Sequence, residues 1–173
     1  MTMKIFDQLP YADTSGTVLR DGELLPVLAH QIIVWVSISL RDALRVDAGV
    51  PKLPAILDTG NSFGMSIAED QLVRWCGLRP EWLEVLGPVF INRQRLHRHA
   101  ADVWLHRNRR GQRDAFRPEP PFRLELRDGI AIYPATPHVL APRLPLLGLR
   151  AIDENELRCT INGKRRTVSL STT

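Results

Sequence analysis

Hydrophobic residues in this chain occur in short runs with the two-residue period of β-strands. In residues 31–40, an isoleucine or valine occupies every second position from Ile32 to Ile38, which predicts a strand with one strongly apolar face. Residues 53–57 read Leu-Pro-Ala-Ile-Leu and predict a second, buried strand. The first half of the chain is therefore expected to contribute two central strands.

The second half of the chain shows three patterns typical of β-hairpins. Residues 89–105 predict a hairpin that turns at residues 92–95 and returns through alternating apolar positions at 101, 103 and 105. Residues 122–133 predict another, with Asp128-Gly129 as the turn. Asn162-Gly163 is a strong turn signal between the apolar stretches 157–161 and 167–170. These patterns favour an antiparallel, mainly β fold.

Two segments have helical rather than strand-like patterns. Within residues 68–78, Leu72, Trp75 and Cys76 share one helical face, and Gly77 is a suitable stop. Residues 80–86 can add another helical turn. The predicted fold class is thus mainly β with one or two short helices.

Length and composition indicate one globular domain. The chain has 173 residues, of which 44% are hydrophobic and 24% charged, so it can bury a real core. Residues 1–29 are a mixed segment with turn signals and are interpreted as a lead-in. Residues 30–173 are interpreted as the single domain, with residues 106–121, rich in Arg and Pro, as a surface insertion.

Targeting and cysteine patterns bear on location and cofactors. The first residues are not followed by the apolar run of a signal peptide, and the longest apolar stretch is too short to cross a bilayer. We therefore expect a cytoplasmic protein with no membrane partner. Cys76 and Cys159 are far apart and form no CxxC motif, so we expect two buried thiols in a reducing compartment and no metal or redox site.

The strongest chemical signal is the tripeptide Asp58-Thr59-Gly60, directly after the apolar run 53–57. Asp and Gly also form ordinary turns, so the tripeptide alone is a weak motif. Its position at the end of a buried strand is how aspartic proteases present a catalytic carboxylate. The motif occurs once in the chain, and that chemistry needs two carboxylates.

Four segments, in order, resemble the retropepsin-like family, the single-lobed aspartic proteases related to retroviral protease. Residues 31–40 resemble the strand before the catalytic loop, and residues 55–62, Ala-Ile-Leu-Asp-Thr-Gly-Asn-Ser, resemble the loop itself. Residues 89–96 resemble, more loosely, the flap hairpin. Leu146-Leu147-Gly148, which opens a short helix, resembles the second family signature. The resemblance covers about residues 30–170.

The resemblance implies a fold and a mechanism. The expected fold is a retropepsin-like closed β-barrel, one half of an acid protease, active as a homodimer. Asp58 of each subunit would supply the catalytic pair, since two carboxylates in contact share one proton and can activate a water. Thr59 and Gly60 would hold the loop, and Asn61 and Ser62 would line the cleft floor. The substrate would be a peptide or protein in extended conformation, and no metal or organic cofactor is implied.

The predicted flap departs from the family pattern. Ile91, Asn92 and Arg93 would form it, but family flap tips are usually rich in glycine. Asn92 tolerates a positive φ, whereas Arg93 is an unusual neighbour. Gly87-Pro88 is therefore kept as a rival position for the tip.

Two non-enzymatic functions stay open. The first is a dimeric binding module that keeps the fold without proteolysis, suggested by the glycine-poor flap. The second is a basic adaptor for nucleic acid or an acidic partner, because the net charge is +4 and seven arginines lie between residues 93 and 113. No nucleic-acid motif accompanies those arginines, so nucleic acid is not the expected partner. His97 and His99 share a strand face, but no third metal ligand is evident.

Overall fold

The computed structural model describes residues 1–47 and 49–173, and their fold is mainly β. Strands make up 44% of the chain and helices 10%, so the predicted fold class is confirmed. The strands are β1 (Lys4–Pro10), β2 (Gly16–Arg20), β3 (Glu23–Val27), β4 (Ile33–Ser39), β5 (Leu53–Asp58), β6 (Met65–Ala68), β7 (Val85–Ile91), β8 (Gln94–His99), β9 (Asp102–Leu105), β10 (Phe122–Leu124), β11 (Ile130–Tyr133), β12 (Leu146–Gly148), β13 (Leu157–Asn162) and β14 (Thr167–Thr172). The helices are α1 (Glu69–Cys76) and α2 (Leu149–Glu154), with a 3₁₀ turn at Pro80–Trp82.

Nine strands form one sheet in the order β10-β9-β4-β5-β12-β6-β11-β8-β7. β1, β14 and β13 form a second sheet, and β2 and β3 form a hairpin. In the described part of the chain, β10 and β7 are the two edges of the large sheet and do not pair with each other. The large sheet is therefore open, and the expected closed barrel is not seen.

The central strand β4 is buried on both faces, not on one as its alternating pattern predicted. Trp35 packs edge-to-face on Phe116 at 5.8 Å between ring centroids, and its Nε1 donates to Asp114 Oδ1 at 2.9 Å. Phe116 and Asp114 belong to the predicted insertion 106–121. That segment therefore covers one face of β4. This is why Trp35 and Ser37 are buried like the aliphatic residues that alternate with them on the other face.

Residues 1–29 contribute strands to the same core. β1 pairs with β14, with Phe6 opposite Leu170. Ile5, Phe6 and Leu9 are buried in the main hydrophobic cluster together with residues of β4 and β5. The lead-in segment thus packs against the predicted domain and joins the two chain ends in one sheet.

Two predicted hairpins are wrong in part. The strand returning from residues 92–95 ends at His99, and residues 102–105 form β9, which pairs with β4 and β10 instead. β10 and β11 do not pair, because β11 lies between β6 and β8. Gly129 has φ +65°, and a Cβ there would lie 2.1 Å from the carbonyl oxygen of His99. The Asp128-Gly129 turn is therefore packed against β8 rather than joining two paired strands.

Other local predictions are confirmed. Helix α1 ends at Gly77, which adopts a left-handed conformation and donates its N–H to the Val73 carbonyl. β13 and β14 pair antiparallel around the predicted terminal turn. Among the described residues, none of the helices has the length and apolar character needed to cross a membrane.

Candidate active site

Asp58 is the last residue of β5, and its carboxylate is held by the loop that follows. Its Oδ1 accepts a hydrogen bond from the N–H of Gly60 at 2.9 Å, and its backbone oxygen accepts one from Asn61 at 3.1 Å. The side chain is partly exposed, and no described residue donates to Oδ2. The loop therefore fixes one carboxylate oxygen and leaves the other without a hydrogen-bond donor among the described residues.

The rest of the loop is stabilised by its own polar groups. Asn61 Oδ1 accepts from the N–H of Phe63 at 3.0 Å, and Asn61 Nδ2 donates to Ser66 Oγ at 3.4 Å. Thr59 and Ser62 are exposed, whereas Phe63 is buried. The side chain of Asn61 thus stabilises the loop through two hydrogen bonds.

The second signature lies directly beneath this loop. β12 runs parallel to β5, with Gly148 beside Asp58, and antiparallel to β6. Because β5 and β6 flank β12, the loop that joins them crosses the end of β12. Gly148 donates to the Gly64 oxygen at 2.8 Å, and Leu149 donates to the Asn61 oxygen at 3.1 Å.

Gly148 is required by this crossing. A Cβ at this position would lie 1.7 Å from the oxygen of Phe63 and 2.5 Å from that of Asn61. Its φ of −91° is accessible to any residue, so the requirement is one of space alone. The two sequence signatures are therefore one packed unit.

The hairpin β7–β8 forms the roof of the site. Ile91 pairs with Gln94, so Asn92 and Arg93 are a two-residue turn with φ of 49° and 65°. Positive φ at both positions matches the turn type that two-residue hairpins favour. The rival tip, Gly87-Pro88, lies inside β7 and pairs with β8.

A cavity of about 380 Å³ separates the loop from the hairpin. It has the size of a small-ligand pocket and is partly open to solvent. The lining residues are Asp58, Gly60, Asn61, Ser62, Phe63, Val89, Phe90, Ile91, Asn92, Tyr133, Leu140, Pro142, Leu146 and Arg150. The cavity thus brings together four residues of the predicted loop, two of the three predicted flap residues and Leu146. The other predicted residues do not line it: Leu147 is buried in the core, and Thr59, Arg93 and Gly148 lie outside the lining.

Two of the lining residues that were not expected from the sequence, Tyr133 and Arg150, have polar side chains. Tyr133 ends β11, and burial raises the pKa of its phenol, so it remains a neutral hydroxyl. Arg150 lies in α2, two residues after Gly148; its Nη1 donates to Asp128, and its guanidinium lies 5.7 Å from the centre of the Phe63 ring. In the sequence, the one indication that Arg150 belongs to the site is its position two residues after Gly148. That indication is weak, because arginines are common on the surface of short helices.

The other candidate residues do not form a second site. His97 is exposed, whereas His99 is buried and burial lowers its pKa. No three His, Cys, Asp or Glu side chains within residues 1–47 and 49–173 come close enough to hold a metal. The arginines divide between β8, near one edge of the large sheet, and the segment after β9, near the other. They therefore do not make one continuous basic patch.

Both cysteines are free thiols. Burial raises the pKa of Cys76 to about 12 and also raises that of Cys159, which is only half-buried. Neither thiol lines the cavity beneath the hairpin. A thiolate nucleophile is therefore not part of the site.

Comparison of the chain with protein-family models, with curated proteins and with solved structures finds no match in any of the three. The fold and the site define this chain as a mainly β protein with a cavity that is lined by the Asp58 carboxylate and lies beneath a hairpin. Any assignment of activity depends on the residues of that cavity.

Proposed function

We propose that this chain is a retropepsin-like aspartic endopeptidase that works as a homodimer. The observation that carries the proposal is the position of Asp58. It lies at the end of a buried strand, has one oxygen held by the Gly60 amide, and faces a cavity roofed by a hairpin. The crossing of its loop over Gly148 supports the proposal, because close packing and two backbone hydrogen bonds hold the loop against β12 and α2.

The homodimer follows from the chemistry. Each chain supplies one Asp58, and peptide hydrolysis by this route needs two carboxylates that share a proton. A two-fold axis beside the partly exposed Asp58 side chain would bring the second copy into contact. The ionised carboxylate would take a proton from a water molecule while the protonated one donates a hydrogen bond to the scissile carbonyl. Thr59 is exposed next to Asp58 and would bond to the partner's loop.

The substrate class follows from the walls of the cavity. β7 is an edge strand of the described sheet, so its outer backbone groups can pair with an extended peptide. Val89, Ile91 and Leu146 give the cavity apolar walls for alternate side chains. An extended polypeptide segment with apolar residues next to the cleaved bond is the expected substrate.

The test is cleavage of a peptide library by the purified chain and by its Asp58→Asn variant. Asn is nearly isosteric with Asp and cannot ionise, so the variant should keep its fold and lose turnover. Asp70→Asn, on the exposed first turn of α1, makes the same chemical change away from the cavity and should stay active. Cleavage that survives in Asp58→Asn, or that a chelator abolishes, would contradict the aspartic mechanism.

A non-catalytic peptide-binding module is the second candidate. The tip Asn92-Arg93 favours it, because no glycine is present to let the hairpin close flat over a substrate. The same library distinguishes the two functions. A binding module would retain peptides equally in the wild type and in Asp58→Asn and would release them uncleaved.

A further inference from the structure

Among the described residues that line the cavity, Arg150 and Asp58 are the two with charged side chains. In the proposed mechanism Asp58 takes a proton from a water molecule, so its charge changes during turnover. Arg150 is therefore the one fixed charge that a bound peptide would meet among the described lining residues. The apolar ring of Phe63 lies beside the guanidinium, and an electrostatic contact becomes stronger where a bound peptide excludes water.

The contacts of Arg150 leave part of its guanidinium group available. Its Nη1 donates to Asp128 Oδ2, while Nε and Nη2 have no acceptor among the described residues. A guanidinium has five N–H donors in a planar fork, so two nitrogens on the other side can still bind a carboxylate. The Arg150 side chain is 41% exposed, so a ligand can reach it.

Asp128 does not neutralise Arg150 fully, because Arg98 shares it. Arg98 Nη1 donates to Asp128 Oδ1 at 2.7 Å, and Arg98 Nη2 donates to the Leu86 oxygen at 3.1 Å. Two guanidinium groups thus share one carboxylate, which leaves one positive charge uncompensated. The Phe63 ring and Asp128 together hold the Arg150 fork in one orientation, so little side-chain entropy is lost when a ligand binds.

We propose that Arg150 selects peptides that carry an Asp or Glu side chain near apolar residues of the bound segment. This rests on the proposed function only in placing a peptide in the cavity, and it adds the substrate class. The carboxylate would accept from Nε and Nη2 while neighbouring apolar side chains contact Val89, Ile91 and Leu146. Arg93 and Arg95 are exposed on the hairpin and add positive charge that attracts acidic segments.

The experiment uses pairs of peptides that differ only by Glu or Gln at one position, and each pair is made both with an amidated and with a free C-terminus. Binding is measured by fluorescence anisotropy with the Asp58→Asn protein, and kcat/KM with the wild type. At one position, Glu should improve binding and kcat/KM about five- to tenfold over Gln, since hydrogen bonds to a charged group are worth more than neutral ones. Salt of about 0.5 M should reduce the ratio, because the contact is partly exposed.

The variants assign this preference to Arg150. Arg150→Gln should bring the Glu/Gln ratio close to one while Gln peptides still bind, and Arg150→Lys should retain part of it. Arg74→Gln makes the same substitution at a more exposed arginine of α1, which does not line the cavity, and should leave the ratio unchanged. Thermal unfolding of each variant shows whether the fold is kept, and the wild-type Glu/Gln and salt comparisons need no variant.

Three outcomes are distinguishable. Equal binding of Glu and Gln peptides at every position, or an unchanged ratio in Arg150→Gln, would overturn the inference. A preference only for peptides with a free C-terminal carboxylate would overturn it in favour of a terminal carboxylate. Glu-dependent binding to Asp58→Asn with no cleavage by the wild type would support the inference and refute the proposed protease.

Discussion

The substitution Gly148→Ala tests the unit formed by the two sequence signatures. The new Cβ would lie 1.7 Å from the Phe63 oxygen, whereas such contacts are essentially never shorter than 3.0 Å, so the loop must move by about 1.3 Å. That shift would break or weaken the bonds from Gly148 to Gly64 and from Leu149 to Asn61. Overpacking costs about 1–3 kcal/mol and each hydrogen bond about 1 kcal/mol, so the free energy of unfolding should fall by about 3–5 kcal/mol.

Urea unfolding followed by tryptophan fluorescence measures this change directly. For a chain of this size the melting temperature should fall by about 6–20 °C. Gly163→Ala is the matched control, because a Cβ there meets nothing within 4 Å, and its stability should be nearly that of the wild type. If Gly148→Ala were as stable as Gly163→Ala, the loop would not cross β12 as described and the account of the site would fail.

Three further predictions follow from individual residues. Burial, with a smaller effect of nearby Lys52, lowers the pKa of His106 to about 4, so between pH 6.5 and 4 the unfolded chain binds a proton that the folded chain excludes. The free energy of unfolding should therefore drop by about 2 kcal/mol as pH falls from 6.5 to 5. In urea titrations, His106→Gln should reduce this dependence of stability on pH. Iodoacetamide at pH 8 should label Cys159 well before Cys76, because Cys76 is more deeply buried and its thiol stays protonated; mass spectrometry showing the reverse order would contradict the packing of α1. Amide hydrogen exchange at Asn92 and Arg93 should be fast in the free protein and slower with a transition-state inhibitor, whereas an unchanged rate would mean that the hairpin does not close.

The acid sensitivity of His106 has a consequence for the proposed enzyme. Its Nε2 lies 2.8 Å from Ser37 Oγ, which donates to the Pro51 oxygen at 2.8 Å, so the neutral ring donates to Ser37 inside the core. A pair of carboxylates that holds one proton should give a bell-shaped pH profile with an acidic to mildly acidic optimum. Protonation of His106 would lower the stability of the folded chain along the acidic limb, and Tm measured across the same pH range separates this effect from protonation of the carboxylate pair.

Local patterns in the sequence were enough to locate the elements that build the site. An apolar run before Asp58, a glycine after Leu147 and a turn at residues 92–95 each depend on neighbours within a few positions. The turn at Asn92-Arg93 formed without glycine because Asn accepts a positive φ and the two-residue register of β7 and β8 imposes it on Arg93.

Long-range pairing could not be deduced from those patterns. β1 and β14 pair although they lie at opposite ends of the sequence, and nothing in residues 4–10 indicates which strand will be their partner. The Asp128-Gly129 turn suits a hairpin by composition, but Gly129 is needed for its close approach to His99. Arg150 was missed for the same reason: its importance depends on Asp128 and Phe63, which reach it only in the folded chain.

Subunit mixing tests the central claim, that two copies of Asp58 form one active site. Wild type and Asp58→Asn are unfolded together in equal amounts, refolded, and assayed on the peptide that the wild type cleaves, with wild type refolded alone as the reference. If catalysis needs Asp58 from both chains, only wild-type pairs are active, and activity per total protein should be about a quarter of the reference. If each chain carried a complete site, about half of the activity would remain, and the account of a shared catalytic pair would be contradicted.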